Sequence, residues 1–160
     1  MNKFLFLLVS FILCFSFKTY AKDVKDVKYE IFSAGSAAQG TCLVKVWVHS
    51  RSGKVTEEEF KYAAVHGVLF RGLAGQQGMP SQSPIINDVT VQSSKSDYFD
   101  AFFGKEEAYL NFASVVAGTY ERIKKSKKGY KVSAVVQVSK DNLRKEMEKS
   151  GIIRGLSNGF

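Results

Sequence analysis

The chain has few of the residues that usually announce chemistry. It holds two cysteines, Cys14 and Cys42, two histidines, His49 and His66, two prolines and one tryptophan. No His, Cys or carboxylate pair stands at a ligand spacing, which argues against zinc and gives no reason to expect a cofactor. Cys14 lies inside an N-terminal apolar run, so Cys42 is alone in the rest of the chain. One cysteine cannot form an internal disulfide, and the fold must rest on packing. Carboxylate pairs are also scarce. Asp97 and Asp100 flank a helix start, where acids favour the dipole, and Glu106 with Glu107 carries no acid–base mark.

Long apolar runs are equally short. "MNKFLFLLVSFILCFSFKTYA" has a basic start at Lys3 and an apolar stretch from Phe4 to Phe17. Small residues at Thr19 and Ala21 then occupy the positions a signal peptidase reads. A membrane span needs about 20 apolar residues, so the stretch reads as a cleaved leader, residues 1–21, with the cut after Ala21. The mature chain, 22–160, is the size of one domain and carries no transmembrane segment. Losing Lys3 and Lys18 takes the net charge from +8 to about +6. A basic exported protein meets anionic lipid, glycan and cell-wall surfaces more often than nucleic acid. The expected location is the periplasm, or outside the cell in association with the outer membrane.

What is present is regular patterning. Residues 27–33 alternate loosely as a first strand, and "TCLVKVWVH" (Thr41 to His49) is a clearer second one. Period two places Cys42, Val44, Val46 and Val48 on a core face, with Leu43, Lys45, Trp47 and His49 opposite. A helix then opens at Thr56, with Glu59 completing a capping box and Val55 and Phe60 placed as a hydrophobic staple. Phe60, Ala63, Ala64, Gly67 and Val68 share one face, and the small residues at its centre call for close packing on a sheet. "LAGQQGMPSQSP" (Leu73 to Pro84) reads as a long loop, and "IINDVTVQ" as a short edge strand.

"SDYFDAFFG" reads as a short helix capped by Ser96, with Tyr98, Phe99, Phe102 and Phe103 on one buried side and Gly104 at its end. "YLNFASVVAGTYERI" and "YKVSAVVQVS", joined by "KKSKKG", read as a β-hairpin whose inward stripe is Val132, Ala134, Val136 and Val138. A last helix starts at Ser139 or Asp141. Gly151 stops it, and Ile152 folds back on Met147. The order predicts a single α+β domain, an antiparallel or mixed sheet with about three helices packed on it.

"GSAAQGTCLVKVWV", "AVHGVLFRG" and "VSKDNLRKEMEKSGIIRGL" together resemble a family of small secreted Bacteroidetes proteins. The resemblance implies export and a single domain, and supplies no active site. A strand pair followed by an alanine-rich helix is also similar, by analogy only, to accessory domains of outer-membrane assembly proteins.

The candidate chemistry is sparse. "GVLFRGLA" has the glycine spacing of a phosphate loop but lacks the Lys-Ser/Thr that must follow, and it ends a helix instead of opening one. Its Arg-Gly-Leu returns at Arg154, a recurrence that chance alone supplies. On the helical wheel Arg71 falls towards the core face unless the helix has already ended, and it either caps a helix C-terminus ahead of Gly72 or binds an anion under the following loop. The candidate ligand set is Arg71 with Gln76, Gln77 and Ser81. His66, on the far side of the helix near Tyr62, reads as a packing residue. Cys42 and His49 face opposite ways and make no dyad.

Arg122, Lys124, Lys125, Lys127 and Lys128 crowd a hairpin tip, either as a solvated turn that blocks edge pairing or as a contact for an anionic glycan or lipid surface. The resulting expectation is a non-enzymatic exported envelope protein that acts by binding, or as an assembly accessory, with an envelope protein or anionic surface as partner. An envelope hydrolase using His66 and Arg71 and a self-assembling structural subunit are the alternatives.

Overall fold

The alternating stretches near the start pair as expected. In the computed structural model, which describes residues 27–126 and 129–155, β1 (Tyr29–Ser36) runs antiparallel to β2 (Cys42–Ser50). The leader with its Ala21 cleavage position, and Lys127 and Lys128 of the basic tip, lie outside the described residues. β5 (Gly129–Val138) lies along the whole of β2, with Cys42 opposite Val138 and Ser50 opposite Tyr130. Because β2 occupies one edge of β5, the hairpin partner must use the other. It does so in two pieces, β3 (Ala113–Val115) and β4 (Glu121–Ser126), which makes a five-stranded antiparallel sheet.

The expected continuous strand over 109–123 is therefore broken. Residues 108–112 form a 3-10 turn that buries Tyr109 at 1% exposure. After β3 the chain bends outward at Gly118 (φ +76°). Thr119 repairs the gap: its hydroxyl donates to the Val116 carbonyl at 2.7 Å and accepts the Val135 N–H at 2.9 Å. A side chain thus stands in for ladder bonds that the backbone gives up.

The core face is the one that period two specifies. Cys42, Val44, Val46 and Val48 of β2 and Val132, Ala134, Val136 and Val138 of β5 are all buried. Helix α1 (Glu57–Phe70) lies on them, opened by the Thr56–Glu59 capping box with both of its bonds made. Its close approach depends on Gly67. A Cβ there would stand 2.1 Å from Ile31 Cδ1, so helix and strand meet at van der Waals distance only because the atom is missing. Helix α4 (Lys140–Lys149) buries Leu143 and Met147, one turn apart, and ends with Gly151 in the left-handed region. The Ile152 N–H returns to the Met147 carbonyl at 2.9 Å, as the Schellman reading requires.

Between residues 91 and 112 the chain is mostly helical. The edge strand expected over 85–92 is absent. Ile85 and Ile86 instead send their N–H groups to the Val68 and Leu69 carbonyls at the C-terminal end of α1, and the Asp88 carboxylate accepts from both the N–H and the hydroxyl of Thr90. That local turn leads into one helical turn, α2 (Val91–Ser94), where strand pairing would need an edge that β1 no longer offers. Helix α3 (Ser96–Asp100) follows with no side-chain cap from Ser96, which is helical itself, and runs through Gly104 as a π-turn (Ala101–Lys105). Phe99, Phe102 and Phe103 are buried as the spacing predicts. Four helices on one sheet make this a single α+β domain. Among the described residues no helix is long and apolar enough to cross a membrane.

Candidate functional site

Tyr29 opens β1 on the core face, and Gly67 draws the C-terminal half of α1 against that strand. His66, the neighbour of Gly67, therefore meets Tyr29. The phenol oxygen and His66 Nδ1 are 2.6 Å apart. The other ring nitrogen, Nε2, lies 3.2 Å from the Gln92 amide nitrogen on α2. Tyr62, one turn earlier on α1, stacks on the imidazole, and Phe103 packs against both rings from the π-turn. Phe99 brings α3 onto Phe70. The spacing Tyr62, His66, Phe70 on α1 and Phe99, Phe103 opposite is the i,i+4 arithmetic of two amphipathic faces meeting.

These faces do not close completely. They leave an open cavity of about 420 Å³, lined by Tyr29, Tyr62, His66, Phe99 and Phe103, with Val27, Arg71, Gln92 and Asp100 completing the wall. Burial drives the electrostatics. It holds the His66 imidazolium off and lowers its pKa to about 4, with Arg71 adding repulsion. Burial also pushes the Tyr29 phenol well above its ordinary range, partly offset by Arg71. Both groups are neutral at physiological pH, and the site's cation is the arginine.

Arg71 is not aimed inward as the wheel suggests. α1 stops at Phe70 and Arg71 is its exposed C-cap residue, so the long side chain swings out over β1. The guanidinium carbon stands 4.4 Å from the centre of the Tyr29 ring, and Nη1 makes a long, 3.5 Å contact to the Tyr29 carbonyl. Gly72 is the expected left-handed residue (φ +73°), its N–H bonded to the Gly67 carbonyl.

The loop after it turns away from the arginine. Leu73 exchanges backbone bonds with Gln82, and Met79 N–H closes on the Gln76 carbonyl across Gln77 and Gly78, which both have positive φ, as a tight hairpin turn requires. The Ser33 N–H on β1 bonds to the Ala74 carbonyl. Residues 73–82 thus form a tongue laid along the open edge of β1. Gln76, Gln77 and Ser81 sit exposed on this tongue and none lines the cavity that Arg71 lines. The signal for the hairpin was in the sequence, Gln-Gly flanked by residues able to pair.

The other candidates are dispersed. Arg122, Lys124 and Lys125 are exposed along β4, with the Arg122 guanidinium 5.7 Å from the Tyr130 ring centre. Cys42 is 3% exposed and its thiol is pushed up by burial. His49 stands on the outer face of the sheet, 3.1 Å from Glu30, so the two make no dyad, as the strand period requires. Among the described residues no group of three or more His, Cys, Asp or Glu is placed to hold a metal. Tyr29, Gln92 and Asp100 escaped the sequence reading because they reach the site only through tertiary contact; the inward alternation of Tyr29, Ile31 and Ser33 was the one available hint for the tyrosine. Comparisons with family models, curated proteins and solved structures found no match, so the site has to be read from its own geometry.

Proposed function

We propose that this is an exported, non-enzymatic binding domain of the cell envelope, and that its ligand site is the cavity between β1, α1 and α3. The observation that carries the reading is the combination of an aromatic-walled cavity with one exposed guanidinium held over its rim by Tyr29. Small-ligand sites are concave and carry a few placed polar groups; this cavity is concave, with aromatic side chains beside Arg71, Gln92 and Asp100, and its lining is slightly more polar than apolar. Binding is favoured over hydrolysis by the state of His66, the acid–base group that the hydrolase alternative would use. His66 has both ring nitrogens engaged, by Tyr29 and Gln92. The exposed Arg122, Lys124 and Lys125 on β4 support a weaker, salt-screened contact with an anionic envelope surface.

An NMR screen of a chemically mixed fragment library against the mature chain tests the reading. Hits should shift the backbone amides of His66, Gln92 and Phe103, and Gln92→Trp, which places a bulky ring at an exposed position on the cavity wall, should remove them. Hits that spare those amides, or that survive the tryptophan, would refute it. N-terminal sequencing of protein recovered from the envelope should begin at Lys22; a chain still beginning at Met1 would count against export.

A further inference from the structure

The cavity's donors point to the kind of molecule it takes. The Arg71 guanidinium carbon lies 4.4 Å from the Tyr29 ring centre, and a guanidinium is a planar group that presents its N–H donors along its edges. Of its five N–H donors, the long contact to the Tyr29 carbonyl uses one. The cation is held beside the ring, yet most of its hydrogen-bonding capacity is unspent. A planar carboxylate is the group that matches such an edge in two parallel bonds.

Tyr29 supplies a second donor. The Gln92 amide nitrogen faces His66 Nε2, and a carboxamide nitrogen only donates. Nε2 of the neutral imidazole is then the acceptor, so the proton sits on Nδ1 and is given to the phenol oxygen 2.6 Å away. The Tyr29 hydroxyl accepts that bond and retains its own hydrogen for a further acceptor. Guanidinium and hydroxyl belong to one cation–π pair, and both offer hydrogen to an oxyanion. Across the cavity, Tyr62, Phe99 and Phe103 present ring surfaces, which suit a flat apolar body. Asp100, itself engaged by another group, stands on the same wall. At about 420 Å³ the space is near the small end of the range for such sites, about 300–1,000 Å³.

We propose that the ligand is a small aryl carboxylate, its carboxylate on the Arg71 edge and the Tyr29 hydroxyl and its ring among Tyr62, Phe99 and Phe103. This rests on the cavity being the binding site, and the experiment separates the two claims. The mature chain is titrated with phenylacetate, with its neutral isostere phenylacetamide and with the dianion phenyl phosphate, following the His66 and Gln92 amides by NMR. Phenylacetate should bind about tenfold or more tightly than the other two, a typical margin for a charge-assisted pair. Arg71→Gln should abolish the preference for acid over amide, and Tyr29→Phe should weaken phenylacetate several-fold while leaving the amide unaffected. Melting curves of both variants check that each still folds. Acid and amide binding equally, or Arg71→Gln leaving phenylacetate untouched, would overturn the carboxylate class but leave the cavity as a site. Tighter binding of phenyl phosphate would overturn the planar carboxylate as the preferred anion. If none of the three probes shifts these amides while other fragments do, the aryl class is wrong; if nothing shifts them, the site itself is.

Discussion

Arg71, the last residue before the α1 breaker, lies 4.4 Å above the ring of Tyr29, the first residue of β1. The contact joins the end of the main helix to the start of the sheet, and it is made at the surface. An exposed cation–π pair contributes about 0.5–1 kcal/mol. Arg71→Ala should accordingly lower stability by no more than about 1 kcal/mol in urea unfolding, while removing carboxylate binding. A loss several times larger would mean that the arginine is mainly a structural cap.

His66 gives stability a pH dependence of definite sign. Its imidazole titrates at about 4 in the folded chain against 6.5 ordinarily, so between those values the unfolded chain binds the extra proton. Stability is then fully present above pH 6.5 and falls as pH drops towards 4, below which this contribution levels off. Partial solvent access reduces the effect to about 2 kcal/mol, below the full conversion of the shift. Urea unfolding at pH 7.5 and 4.5 should show the loss, and His66→Gln should flatten that part of the profile. An identical slope in the variant would assign the dependence to carboxylates.

The tautomer of His66 is open to direct reading. Long-range nitrogen–proton correlation should show the proton on Nδ1, with Nε2 in the range of an unprotonated acceptor. The opposite pattern would mean that Tyr29 donates to His66 and has no hydrogen left for a ligand.

Two glycines separate backbone strain from collision. Gly72 and Gly78 have φ of +73° and +81°, but a Cβ on Gly72 would lie 2.4 Å from the Gln82 carbonyl, whereas Gly78 faces open space. Gly78→Ala should cost about 1 kcal/mol, the left-handed penalty alone. Gly72→Ala should cost about 2–4 kcal/mol, because the tongue must also lift off. Equal losses would show that the tongue yields freely.

Cys42 should ignore a thiol reagent in the folded protein and react fully in denaturant, since the thiolate is disfavoured by burial and the sulfur is covered. Rapid labelling under native conditions would place the β2–β5 seam in an opening equilibrium.

The periodic parts of this fold were legible in the sequence. Val44, Val46 and Val48, the Thr56–Glu59 box, the glycine-spaced approach of α1 and the Met147–Ile152 closure all follow from local rules that the tertiary structure leaves in force. The failures share a cause. Tyr109 alternates well as a strand residue, but the aromatic cluster with Tyr62 and Phe103 holds it in a 3-10 turn. Ile85 and Ile86 look like an edge strand, but the free carbonyls of α1 take their N–H groups. Arg71 was found by position and misdirected by the wheel, because a helical wheel stops applying at the cap. Its company was invisible, since Tyr29, Gln92 and Asp100 come from three other segments.

The pairing of β2 with β5 also fixes an order of events. Cys42 finds Val138 and Ser50 finds Tyr130, so the middle of the sheet cannot form until nearly all of the chain is available. Until then the valine stripe of β2 has only β1 beside it, and a two-stranded ribbon is marginal in water. Long-range pairing of this kind is intrinsically slow to form. The chain therefore commits to its shape only once its C-terminal strand has arrived, and under the export proposed above that dependence would leave the unfinished polypeptide threadable.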